Sequence, residues 1–208
     1  MPTQVLQIDR IESTDERFAS AKRWEYQIFG LENGYTTRED DAATEMCRYR
    51  RWEQSSEFFV GFDRDEQAVA ILRALRCDPE LGIDSFSTVC EAGAYPLSAL
   101  GPTNMIHRDW QAFFATVSPT RVVDLASHAV SRRHRKTGVM EQLWRQLCDT
   151  LTTDGVSYVT VALAVPLFNR YRTRFGEAVE QFGEVLPGYL GVDSVPAIVD
   201  LTLLEPRR

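Results

Sequence analysis

The sequence predicts an α/β protein built on a mixed β-sheet flanked by helices, and three observations carry that prediction. An apolar strand pair, Glu57–Phe62 and Ala68–Leu75, is joined by the polar turn DRDEQ, which reads as an antiparallel hairpin. From Arg121 onward, strand and helix patterns then alternate: a strand to Val130, an amphipathic helix over Gly138–Thr152, an apolar strand over Ser157–Val165, and a short helix over Pro166–Phe175. Glu184–Val185 and Ile198–Leu204 read as closing strands.

The remaining elements follow in chain order. QVLQI alternates weakly and reads as a first strand. Ser13–Phe29 has helical spacing, with Phe18, Ala21, Trp24, Ile28 and Phe29 near one face and Ser13-Thr14-Asp15-Glu16 as its N-terminal signal. Asn33-Gly34 marks a turn, and Thr37–Trp52 reads as a second, arginine-rich helix. Asp78–Pro119 is irregular, broken by glycines and prolines, with one short helix at about Ile106–Thr116. Pro166 suits the first turn of its helix, where its missing N–H costs nothing.

Composition narrows the function. With 208 residues, 44% hydrophobic and 25% charged, the chain has the make-up of one globular domain. It divides into two halves, 1–120 and 121–208. A net charge of −7 argues against nucleic-acid binding. No apolar run is long enough for a membrane span and the first residues carry no signal pattern, so a cytoplasmic protein is expected. Cys47, Cys77, Cys90 and Cys148 form no CxxC pair, and the three histidines form no HExxH. Reduced thiols and no metal site are therefore expected.

Positive charge is concentrated in two places within this acidic chain: Arg132, Arg133, Arg135 and Lys136, and Arg170, Arg172 and Arg174. The first cluster lies in VSRRHRKTGVM (Val130–Met140), between a strand and a helix. A basic, glycine-containing turn at a helix N-terminus presents unpaired backbone N–H groups, which is the physical basis of an anion site.

In these residues the sequence resembles the GNAT acyltransferases. Their pattern V-x-P-x-Y-R-x-x-G-x-G/A is matched by Val130, Arg135 and Gly138, with His134 in place of the aromatic and Met140 in place of the last small residue. PLFNRYRTRFG (Pro166–Gly176) is similar to the family's following helix. The resemblance covers about eighty residues. It implies a GNAT fold, with 1–120 as the acceptor-side half and 121–208 as the thioester-binding half, and a thioester co-substrate, acyl-CoA or acyl-phosphopantetheine. Val130, Arg135, Lys136, Thr137, Gly138, Val139 and Met140 would hold its pyrophosphate, the preceding strand would pair with its pantetheine arm, and Asn169 would meet a pantetheine amide. Tyr171 would protonate the leaving sulfur. Asp124, the one carboxylate among apolar strand neighbours, is either functional, as the general base or as an acceptor that orients the amine, or a structural hydrogen-bond acceptor. No nucleophile is evident, so the amine is expected to attack directly.

The first half resembles one GNAT subgroup, the acyl-homoserine-lactone and N-acyl amino acid synthases, through RWEY (Arg23–Tyr26), ENGY (Glu32–Tyr35), EFFVGFD (Glu57–Asp63) and AVAILR (Ala68–Arg73). The subgroup's E-x-S-R-x-x-V appears as DLASHAV, with Asp124 on the carboxylate position and Ser127 replacing the arginine. Arg73, Ser127 and His128 are the substrate-binding residues this implies. The subgroup's acidic pair is missing; Glu45 and Tyr49 are nearest. That loss ranks a lactone synthase using S-adenosylmethionine below a general N-acyltransferase with a small-molecule amine as acceptor. A non-catalytic thioester-binding domain is the third alternative. The second basic cluster leaves an acyl carrier protein open as donor, and a homodimer is also compatible.

Overall fold

A computed structural model of the protein describes residues 7–94 and 109–204. Gln4, Val5 and Leu6 of the expected first strand, and Ile106, His107 and Arg108 at the start of the expected short helix, lie outside the described residues. The architecture is α/β, as the strand–helix alternation requires. Seven strands form one mixed sheet in the order β1-β2-β3-β4-β5-β7-β6: β1 (Gln7–Glu12), β2 (Ser56–Phe62), β3 (Ala68–Leu75), β4 (Val122–Val130), β5 (Tyr158–Ala164), β6 (Val179–Gln181) and β7 (Ser194–Asp200). The β1–β2 and β2–β3 pairs are antiparallel, β4 and β5 are parallel, and β7 runs antiparallel to both β5 and β6.

The chain forms two compact units. One comprises the residues up to Leu75 with Ala126–Thr150; the other comprises Arg76–Leu125 with the residues from Leu151 onward.

In the first unit the hairpin closes as its turn chemistry dictates. The Asp63 carboxylate accepts from the backbone N–H groups of Asp65 (2.9 Å) and Gln67 (3.0 Å). The helix α1 (Phe18–Glu25) starts later than its pattern suggests and runs into a π-helical turn, Tyr26–Leu31. The expected second helix is interrupted. Thr37 and Asp40 form a capping box for α2 (Arg38–Ala43), Thr44 turns left-handed at φ 54°, and a 3-10 turn follows at Cys47–Trp52. The interruption has a local cause: the Asp40 carboxylate also accepts from Cys47 N–H (2.7 Å), folding the chain back where a helix would run on. The amphipathic helix α5 (Val139–Thr153) buries Val139, Leu143 and Leu147 here at 0–1% exposure. Each buried side chain of this kind contributes about 2 kcal/mol.

In the second unit α3 (Ser87–Ala94), α4 (Asp109–Thr116) and α6 (Val165–Phe175) accompany the strands. Phe86, Val89, Val122, Phe182, Leu186 and Ile198 form a core cluster. Pro166 lies in the first turn of α6, as expected. The closing strands are displaced from the sequence reading: β6 precedes Glu184, and β7 ends at Asp200. There the Asp200 carboxylate caps a 3-10 turn by accepting from Thr202 N–H (2.8 Å), which stops the strand before Leu204.

Candidate functional site

The strand–turn–helix junction is the feature the sequence singled out, and its geometry follows from the residues in it. Leaving β4, Ser131 N–H donates to the Val69 carbonyl (2.8 Å), and the Ser131 hydroxyl pairs with His134 Nδ1 (2.7 Å). A 3-10 turn over Arg132–His134 follows, held by the Thr137 hydroxyl donating to the His134 carbonyl (2.5 Å). Lys136 (φ 65°) and Gly138 (φ 83°) are both left-handed, and α5 starts at Val139. A Cβ at Gly138 would meet nothing within 4 Å. Backbone conformation, not space, is what selects glycine there.

Two of the turn's arginines are already engaged. Arg132 bonds the Glu32 carbonyl through its guanidinium and the Glu32 carboxylate through its N–H. Arg135 donates to Asn33 Oδ1 (3.0 Å) and weakly to the Val130 carbonyl (3.4 Å). Asn33 in turn donates to the Ile28 and Phe29 carbonyls, so the Asn33-Gly34 turn is pinned to the end of the π-helical segment. Arg133 and Lys136 stay exposed, and Met140 is half-buried. Glu32 and Asn33 were not expected as partners of this turn; ENGY gave a turn signal and part of the subgroup resemblance, neither of which points to the arginines.

The same unit buries a polar cluster around Glu25, which is fully buried. Glu25 accepts from Arg73 Nη1 (2.9 Å) on one oxygen and from the Ser127 hydroxyl (2.5 Å) on the other. Arg73 also donates to the Ser56 hydroxyl (3.1 Å) and lies over the rings of Tyr49 (5.0 Å) and Phe58 (4.8 Å). The Tyr49 hydroxyl donates to the Ala126 carbonyl (2.5 Å). Burial raises the Glu25 pKa, opposed by the Arg73 charge and the Ser127 hydrogen bond. Arg73 and Ser127, both expected at an acceptor site, are thus joined through a glutamate the sequence did not single out. His128 is half-buried with its ring 6.5 Å from Trp144, and burial pushes its pKa down to about 4.

In the second unit, Asp124 is fully buried. It accepts from the Ser87 hydroxyl (2.6 Å), the Thr88 N–H (3.1 Å) and the Thr160 hydroxyl (2.7 Å). Burial raises its pKa against the pull of those donors. Of the two roles expected for this carboxylate, the structural acceptor accounts for all three contacts, two of which hold the first turn of α3. Tyr171 is half-buried on α6, its ring 5.9 Å from Phe175, and Asn169 is exposed with its carbonyl accepting from the Thr173 hydroxyl (2.8 Å). Arg172 donates to the Val179 carbonyl, and Arg174 lies 5.3 Å from the Phe175 ring. Among the described residues no group of three or more His, Cys, Asp or Glu is placed to hold a metal, and no helix is long and apolar enough to cross a membrane.

No protein-family model matches the sequence, and no curated protein matches it significantly. Solved structures do match. The chain is similar to BjaI, a CoA-dependent acyl-homoserine lactone synthase solved with SAM and isopentyl-CoA (TM-score 0.62, 15% identity, 95% of this chain and 85% of that one). It is also similar to the AHL synthase LasI (TM-score 0.56, 16% identity, 94% and 88%). An acetyltransferase of the GNAT family from Staphylococcus aureus matches as well (TM-score 0.50, 12% identity, 94% and 99%). The fold is that of the GNAT acyltransferases, shared by acetyltransferases and acyl-homoserine-lactone synthases alike.

Proposed function

We propose that this protein is an N-acyltransferase that moves an acyl group from a thioester, of coenzyme A or of a carrier-protein phosphopantetheine, to the amine of a small molecule. The observation that carries the reading is the left-handed turn at Lys136 and Gly138, leading into α5 within a GNAT fold. Such a turn suits a pyrophosphate, because its N–H groups and the helix dipole both favour an anion. Exposed Arg133 and Lys136 supply positive charge beside it.

In this reading the amine nitrogen attacks the thioester carbonyl directly. The new C–N bond forms, the C–S bond breaks, and the surplus amine proton leaves to solvent. Tyr171 gives its proton to the departing thiolate and regains one from water. An acyl-enzyme on Cys47, Cys77 or Cys148 is disfavoured, because burial raises Cys77 and Cys47 and pushes Cys148 up to about 12. Asp124 serves as the anchor of the α3 turn.

Calorimetry with coenzyme A on wild type and Gly138→Val, followed by thiol release from acyl-CoA with a panel of amines that includes S-adenosylmethionine, tests the reading. Wild type should bind coenzyme A and release thiol with at least one amine. Gly138→Val should remain folded and bind at least tenfold more weakly, since a β-branched residue cannot adopt the left-handed turn. Unchanged affinity in Gly138→Val removes the turn from the site. Binding without turnover on any amine leaves a thioester-binding domain in place of an enzyme.

A further inference from the structure

The buried cluster around Glu25 draws on several parts of the chain and converges on two consecutive residues of β4. Glu25 comes from α1, Arg73 from β3, Ser56 from β2, and Tyr49 from the 3-10 turn before it. The cluster grips Ala126 by its carbonyl, through Tyr49, and Ser127 by its hydroxyl, through Glu25. Burying an ion pair is costly, and apolar residues of similar volume commonly stabilise a core as well or better. What a hydrogen-bonded buried pair adds is a single geometry. The guanidinium is fixed from several sides at once: its Nη1 donates to Glu25, its Nε to Ser56, and its Cζ lies over the Tyr49 and Phe58 rings.

The position of the grip is informative. Leu125 is the last β4 residue in the parallel ladder with β5. At the next residue, Ala126, the backbone carbonyl is taken by a tyrosine side chain. The cluster therefore fixes the strand's peptide plane where its ladder ends and immediately before Ser127–Val130, the stretch that leads into the turn.

The geometry points to Glu25, Arg73 and Tyr49 as positioning residues that hold the Ala126–Val130 edge of β4 for the pantetheine arm of the donor. This rests on the acyltransferase reading above. None of the three touches the donor; each acts through the β4 backbone. Removing the Tyr49 hydroxyl leaves the Ala126 carbonyl without that buried donor and lets the peptide relax, with little change in volume. The pyrophosphate turn at Lys136–Gly138 keeps its own supports at Ser131, His134 and Thr137.

The experiment compares two ligands by calorimetry: coenzyme A, and ribose-phosphorylated ADP, which is coenzyme A without its pantetheine. Tyr49→Phe and Ser127→Ala are the variants, because each removes one hydroxyl and leaves the ion pair intact. Each should weaken coenzyme A about fivefold, the loss expected for one buried hydrogen bond, and leave the nucleotide within about twofold of wild type. A purely structural role moves both ligands in parallel or neither, and either result overturns the assignment. Should Tyr49→Phe not fold, Ser127→Ala decides alone. Wild type binding neither ligand overturns the acyltransferase reading itself and the positioning role with it, an outcome distinct from parallel loss in the variants.

Discussion

Replacing His128 by glutamine should flatten the acid side of the stability profile. The imidazole sits half-buried on β4 beside Trp144, with no described hydrogen bond to its ring, and burial lowers its pKa from 6.5 to about 4. The folded pKa is depressed, so the unfolded chain binds this proton first. Stability from the neutral ring is fully present above about pH 6.5 and is lost as pH falls towards 4. Between pH 7 and pH 5 the wild type should lose about 2 kcal/mol through this group alone, the difference between protonating a ring of pKa 6.5 and one of about 4. The buried carboxylates Glu25 and Asp124, whose pKa values are raised, act with the opposite sign. They are common to both proteins, so subtraction removes them. Denaturant titrations of wild type and His128→Gln at half-unit pH steps give the slopes. Parallel profiles from pH 7 to 5 would refute the claim that burial keeps this imidazole neutral.

Two further outcomes are expected. In Asp124→Asn the amide NH2 must face either the Thr160 hydroxyl or the Ser87 hydroxyl and the Thr88 N–H together, so unfolding free energy should fall by about 2 kcal/mol. A variant that keeps its stability and loses turnover would instead make this carboxylate the proton acceptor. Reversing Arg170 and Arg174 to glutamate leaves Arg172 on the Val179 carbonyl, and turnover should change less than about threefold with either donor, consistent with coenzyme A. A loss above about tenfold, at low salt and with the carrier-bound donor alone, would make an acyl carrier protein the donor.

What the sequence determined by itself is whatever rests on neighbours along the chain. The hairpin of β2 and β3, the amphipathic α5, the apolar β5 and the proline-started α6 are each set by period, turn residues or a first-turn proline. The turn at Val130–Met140 was legible for the same reason, since a glycine and four basic residues between a strand and a helix form a local pattern. The tertiary structure decided what depends on partners far apart in sequence. Glu25 reads as one more charge on an amphipathic helix until Arg73 and Ser127, separated from it by 48 and 102 positions, close around it. Asp124, an acid among apolar strand residues, reads along the chain as either a functional carboxylate or a structural acceptor. Its three donors, two of them from a helix start 36 and 37 positions earlier, come into view only in the fold. Thr37–Trp52 shows the same limit on a shorter scale, because a helical pattern gives no sign that Asp40 will bond Cys47 and fold the chain back. A buried polar atom must find a partner wherever the fold brings one, and periodicity along the chain does not encode that encounter.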